Sequence, residues 1–166
     1  MRASTPADYD AIRRIVDAAF AGPLESRIVD GVRAEGAALA DLVAEDDDGE
    51  IVGHVLFSRM TAPPSRFLAA LGPVAVRPDA QRRGIGDALC RAGIEAVRSM
   101  GAEAVIVLGH PPYYPRFGFS HAAAANLISP YASHGEAFMA LELIHGALAT
   151  PLKADYPAAF DLAGPP

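Results

Sequence analysis

Two short clusters in this 166-residue chain carry residue types that can do chemistry. The first is Gln81-Arg82-Arg83-Gly84-Ile85-Gly86-Asp87. Glycine and arginine at a helix start suit an anionic ligand, because the first N–H groups of a helix lack intrahelical partners and the helix dipole adds about half a positive charge there. Glycine also lets backbone approach a phosphate closely. The second cluster is Tyr114-Pro115-Arg116-Phe117-Gly118-Phe119, with His110 just before it. A phenol of ordinary pKa about 10 holds its proton at neutral pH and can give it to a departing anion. An imidazole of ordinary pKa about 6.5 can take a proton from an ammonium.

These clusters need elements to hold them. Residues 71–77, Leu-Gly-Pro-Val-Ala-Val-Arg, read as a buried strand that Pro78-Asp79 breaks. Residues 85–100 then carry a helical pattern with Ile85, Ala88, Leu89, Ala92, Ala96 and Met100 on one side, ended by Gly101. The spacing differs from the better-known phosphate loops. A Walker loop ends in Gly-Lys-Ser/Thr, whereas Asp87-Ala88 follows Gly86. A dinucleotide fingerprint needs a third glycine, where Leu89 stands.

Gln-x-x-Gly-x-Gly after the strand Val74-Ala75-Val76 resembles the acetyl-coenzyme-A site of the Gcn5-related N-acetyltransferases (GNAT). Tyr114 to Phe119 matches that family's Tyr-x-x-x-Gly-Phe signature independently. The segment Gly109-His110-Pro111-Pro112-Tyr113-Tyr114-Pro115-Arg116-Phe117-Gly118-Phe119 is similar to one branch of bacterial acetyltransferases whose substrates are mostly undefined. The resemblance implies an α/β fold with a mixed, mostly antiparallel sheet, helices on both faces and a splayed central strand pair. It implies that Gln81 to Asp87 hold the pyrophosphate of acetyl-CoA and that the backbone of Val74, Ala75 and Val76 holds the pantetheine arm. Tyr114 would protonate the departing thiolate, and His110 or a water chain would take the proton of an amine acceptor. The Gly118-Phe119 pair would begin a further strand. A rival reading keeps the fold without turnover, as a CoA-binding sensor or interaction module; Tyr114 argues against it, since a binder has no need of that phenol.

Elsewhere, Thr5-Pro6 opens a helix that ends near Gly22-Pro23, and residues 24–35 form a second amphipathic helix. Residues 40–45 and 50–60 read as strands joined by Asp46-Asp47-Asp48-Gly49, a hairpin signal and not a calcium loop, for want of the closing glutamate. Residues 137–144 form a last strand. Residues 1–149 are read as one acetyltransferase domain. Residues 150–166, rich in Pro, Ala and Gly, are read as an irregular, loosely packed or partner-contacting tail, which leaves a homodimer open.

Composition narrows the classes. A 51% hydrophobic, 20% charged chain is globular in type. No apolar run approaches the ~20 residues of a membrane span, and the start lacks the apolar core of a signal peptide, so the expected location is the cytoplasm. Net charge −6 argues against a general nucleic-acid surface. Positive charge is local, in Arg77, Arg82, Arg83 and Arg91 around the glycine turn. A single cysteine, Cys90, gives no internal disulfide or cysteine cluster, and its place one turn into the helix suits packing. The histidines show no metal-ligand spacing, and no metal is expected. His54 reads as a satisfied sheet residue sharing a face with Val52 and Leu56, His121 and His134 as solvent-facing or substrate-side loop residues, and Tyr113 as structural. The Asp87 carboxylate, suited to a first helical turn but repelled by a pyrophosphate, is expected to point away from the ligand.

Overall fold

Strand β1 (Arg2–Ala3) lies beside β2 (Ala38–Glu45) because the chain first makes two helices and then returns. A computed structural model describes residues 1–163. Thr5 and Asp8 form a reciprocal cap at a 3-10 turn, Pro6–Asp8, that leads into α1 (Tyr9–Phe20). Asp8 also accepts two hydrogen bonds from Arg2, at 2.7 and 2.9 Å, so one carboxylate ties the first strand to the first helix. Helix α2 (Leu24–Ala34) follows, and then β2, β3 (Ile51–Arg59) and β4 (Leu68–Val76) form an antiparallel meander. The β2–β3 hairpin closes through Asp46, whose carboxylate accepts from the backbone of Asp48 and Glu50.

Helix α3 (Ile85–Ser99) crosses from β4 to β5 (Ala104–Leu108), which therefore runs parallel to β4. The short strand β6 (Leu127–Ile128) lies outside the main sheet, and β7 (Phe138–Glu142) closes it in the order β1-β2-β3-β4-β5-β7. Side chains alternate between two cores. Ala69, Leu71, Val105 and Val107 face α3, while Leu68, Ala70, Ala104 and Ile106 face the segments that follow β5. Helices α1 and α2 cover the neighbouring strands on this second face, through Val16 against Val43 and Ala75, and Val32 against Leu56.

Four details differ from the sequence reading. The buried face of α3 is Leu89, Cys90, Gly93, Ile94 and Val97, and Met100 is 49% exposed. Gly93 sets this phase: the Phe57 ring fills the space its Cβ would need, so the helix rolls its glycine toward β3. Val52 packs with the α3 core instead of sharing His54's face, because the pairing slips between Ala44 and Glu45. Gly118-Phe119 does not begin a strand; only the Ser120–Ala140 bridge forms before Ser120 caps a 3-10 turn at Ala122–Ala124. The segment after Thr150 is packed: β8 (Leu152–Lys153) pairs with β6, a 3-10 helix covers Ala158–Ala163, and Leu152, Ala154, Tyr156 and Ala159 are at most 7% exposed. Its alanines allow close approach, since a Cβ on Gly31 of α2 would stand 2.7 Å from that of Ala159. Residues 164–166 of the expected tail lie outside the described residues.

His54 is fully buried, and its Nε2 lies 2.9 Å from Asp41, which Arg33 holds at 2.7 Å. Its Nδ1 has no partner, so the ring is only half satisfied. Burial pushes the His54 pKa down against the pull of Asp41. Burial would raise Asp41, but the His54 and Arg33 hydrogen bonds outweigh it and hold the carboxyl well below the usual range. Both shifts make the unfolded chain the better proton acceptor, so acid destabilises the fold. Thermal melts are expected to fall as pH drops below about 6.5, the unfolded imidazole value, and again below about 3.9. His54→Gln keeps a donor to Asp41 and should flatten the first of these two declines only.

Candidate active site

The cleft begins where β4 and β5 part. Their parallel pairing runs from Leu68–Ala104 to Leu71–Val107 and stops. There Gly72 and Pro73 form a bulge: three residues of β4 advance while β3 advances two, from Phe57–Leu71 to Val55–Val74. Pro73 has no N–H to give a ladder, and Gly72 takes φ +151°. Beyond the bulge, Val74, Ala75 and Val76 pair with β3 alone, which leaves the β5-side backbone edge of this strand open.

The glycine turn stands at the end of that strand. Gln81 donates from its side chain to the Val76 carbonyl at 3.1 Å and ties the turn to the strand. Arg82 has φ +60°, and Gly84 at the helix N-cap has φ +82°. A glycine cap has no side chain to satisfy the first helical N–H groups, so they remain available to a ligand. The cleft here measures about 580 Å³, with Val74, Val76, Arg82, Gly84, Gly86 and Asp87 on its wall. Arg82 and Arg83 are exposed and make no ion pair among the described residues, whereas Arg77 is taken up by Asp79 and Asp46. Arg83 is not on the cleft wall, and the Ala75 side chain faces α1, so Ala75 can offer only backbone. Arg91 lies over the Phe117 ring.

Asp87 does not point away as expected. It stands on the cleft wall with the Arg116 guanidinium 3.4 Å from its carboxylate. Arg116 also lies 4.5 Å over the Tyr113 ring. A Cβ on Gly86 would stand 3.1 Å from the Tyr113 hydroxyl, so Tyr113 reaches the glycine turn and is more than a packing aromatic. Burial, then Cys90 and Asp87, push its pKa up. Cys90 is buried and its thiol is pushed up to about 12, mainly by burial, in keeping with a packing role.

A second chamber, of about 440 Å³, adjoins the cleft and shares Phe20, Val74 and Tyr113 with it as lining. Tyr114 and His110 both line it. The Tyr114 ring rests on Gly109, where any Cβ would collide with it, and meets Phe119 edge-on at 5.8 Å. Tyr114 is 8% exposed, and burial pushes its pKa up, so the phenol keeps its proton. His110 is exposed at the end of β5, and its carbonyl accepts from Tyr113 N–H, which fixes the turn between them. His121 is exposed and anchored to the Phe138 carbonyl, and His134 stacks on Tyr131. The sequence reading missed Arg116, Tyr113's reach, and the chamber walls from Phe20, Glu25, Tyr131, Tyr156 and Phe160. Arg116 lay inside the tyrosine signature and Tyr113 beside it, and both were legible; the chamber walls come from distant segments.

A splayed strand pair, an uncapped helix start and a protonated phenol in an adjoining chamber describe an acyl-CoA-dependent acyltransferase. Residues 10–119 match the acetyltransferase (GNAT) family, and the chain belongs to it. It is 38% identical over 120 residues to the uncharacterized N-acetyltransferase YjhQ of Escherichia coli, which covers 70% of this chain and 66% of that protein. It is 30% identical to YhbS of the same organism over 149 residues, 89% of each. The crystal structure of YhbS in complex with CoA superposes with a TM-score of 0.88 at 28% identity, over 96% of this chain and 90% of that one. A GNAT acetyltransferase from Brucella melitensis in complex with acetyl-CoA gives 0.80 at 34% identity, over 96% of both chains. Among the described residues, no helix is long and apolar enough to cross a membrane.

A branched side chain at position 86 would press on both Tyr113 and the ligand path while leaving the core untouched. Gly86→Val is therefore expected to abolish CoA binding in calorimetry with an unchanged melting temperature.

Proposed function

We propose that this chain is an N-acetyltransferase that moves acetyl from acetyl-CoA directly to an amine. We place it in the branch marked by the segment Gly109 to Phe119. The observation that carries this reading is that the glycine-turn cleft adjoins the chamber holding Tyr114, with Phe20, Val74 and Tyr113 lining both. The reaction forms an N–C amide bond and breaks the C–S thioester bond, and the proton lost from nitrogen balances the one gained by sulfur.

The N–H groups at the start of α3, with Arg82 beside them, hold the pyrophosphate. The open edge of Val74 to Val76 aligns the pantetheine arm as an added strand would be aligned, and an N–H there polarises the thioester oxygen. The amine arrives as an ammonium, with a pKa near the 10.4 of lysine, and must lose a proton before it attacks. His110 is the one imidazole on the chamber wall, and among the described residues its ring has no side-chain partner. It takes that proton and passes it to solvent. Tyr114, whose burial keeps the phenol protonated, gives a proton to the sulfur, and the second proton that nitrogen sheds as the amide forms restores the phenol. Direct attack suits this chamber, since the chain's single thiol, Cys90, is buried with a raised pKa.

Tyr114→Phe should lower kcat by about 10²-fold and leave CoA affinity unchanged, with Tyr113→Phe far less damaging to kcat. Equal turnover of Tyr114→Phe and wild type, with chemistry rate-limiting, would return Tyr114 to a packing role. On the same amine, His110→Ala should erase the acid-limb inflection of kcat/KM against pH. A retained inflection assigns the proton to a water relay.

A further inference from the structure

The second chamber has a composition that selects among amines. Four aromatic side chains, Phe20, Tyr131, Tyr156 and Phe160, stand on its wall beside the catalytic pair, and Ile28 adds an aliphatic patch. Tyr131, Tyr156 and Phe160 form one cluster, edge-to-face and then tilted, with ring centroids 4.8 Å apart between successive members. Tyr156 and Phe160 belong to the segment after β8, which packs on α2. Into this apolar enclosure the first turn of α2 presents a single carboxylate, Glu25. Glu25 is half-buried and makes no hydrogen bond or ion pair among the described residues; on the same two helices Asp30 binds Arg13 and Arg33 and Asp10 binds Arg13, while Asp17, also without an ion pair, is not on the chamber wall. A carboxylate left unpaired against aromatic rings costs free energy unless a cation comes to it.

We propose that the chamber is the acceptor site and that it takes a small monoamine with an aromatic body, the rings on the Tyr131–Tyr156–Phe160 cluster and the ammonium on Glu25. The inference rests on the acetyltransferase reading and adds the substrate class and the residue that selects it. Size and charge both enter. The thioester end of acetyl-CoA, beside Tyr114, takes part of the chamber of about 440 Å³, and the aromatic end is left for a body of one or two fused rings. One carboxylate matches one ammonium, so polyamines would leave further charges against apolar walls, and amino sugars would bring more hydroxyls than the few tyrosine hydroxyls of these walls, Tyr156 Oη among them, can partner. Aromatic walls also favour a cation close to their ring faces. Glu25 acts here as a positioning residue: it holds the ammonium near His110, which receives the proton.

The chain contains no tryptophan, so the indole emission of a ligand can be read directly against the full-length protein. Tryptamine is titrated into protein saturated with CoA, a condition that reports acceptor binding without turnover. Tryptamine should bind, phenethylamine should displace it, and spermidine and glucosamine should not. Wild type should prefer tryptamine over its neutral analogue tryptophol by about tenfold or more, the factor that a charge-assisted hydrogen bond provides. Glu25→Gln should erase that preference with CoA affinity unchanged, and Glu25→Lys should transfer it to indole-3-acetate. With acetyl-CoA present, tryptamine should release CoA thiol. Displacement by spermidine or glucosamine but not by phenethylamine would overturn the substrate class. A preference for tryptamine that survives Glu25→Gln would overturn the role of Glu25. If tryptamine does not bind while other amines still release thiol, this inference falls and the acetyltransferase reading stands; if tryptamine binds with the expected preferences and no amine releases thiol, the acetyltransferase reading falls and takes the acceptor role with it, leaving an arylalkylamine-binding site.

Discussion

A sheet interior tolerates few unpaired peptide groups, because each buried N–H or C=O without a partner costs about 1–3 kcal/mol. Between β4 and β5 the pairing stops at Leu71 and Val107, in the middle of a six-stranded sheet. The bulge at Gly72-Pro73 makes the break tolerable by bending β4 away, so its free edge faces a cleft and not another strand. The glycine turn, the uncapped start of α3 and the tyrosine segment then all fall around one wedge-shaped opening. Without the break, a continuous β4–β5 ladder would fill the space where the two cavities meet.

Charge is distributed around this wedge with the same economy. The protein is acidic overall, and most of its arginines are engaged: Arg2 with Asp8 and Glu45, Arg33 with Asp41, Arg66 with Glu103, Arg77 with Asp79. At the cleft, Arg82 is left free and Arg116 is shared with Asp87. The Asp87–Arg116 pair joins the start of α3 to the 3-10 helix of Tyr114–Phe117, so the phosphate side and the tyrosine side of the wedge are linked by a partly exposed ion pair and by the Tyr113 ring beneath it.

Local motifs were legible in the sequence because their physics is local. The strand–turn–helix of residues 71 to 100 and the tyrosine segment depend on glycine conformations, a proline and apolar runs that neighbours in the chain can reveal. The helical phase of α3 was not legible, because it follows from Phe57, a residue on another strand, entering the space beside Gly93. The half-satisfied state of His54 depends likewise on Asp41 across a strand and Arg33 on a helix. The segment after Thr150 looked unstructured by composition, since alanine and proline carry little periodic signal. Its order comes from the close approach of Ala159 to Gly31 and from the aromatic cluster of Tyr131, Tyr156 and Phe160, none of which is visible as a pattern along the chain.

The wedge has two sources in the chain. Its phosphate end is built from residues 74–87 and from Tyr113 and Arg116, embedded in the sheet and its crossover helix, with Ala19 and Phe20 at the end of α1 beside them. The far walls come from the first turns of α2, with Glu25 and Ile28, and from the aromatic residues beyond residue 130 that pack outside the main sheet. Replacing a ring or a charge in these far walls leaves the β4–β5 divergence and the start of α3 untouched. Lineages of this protein can therefore change what the chamber accepts by drift in its peripheral segments, while the donor side stays under the constraint of the fold.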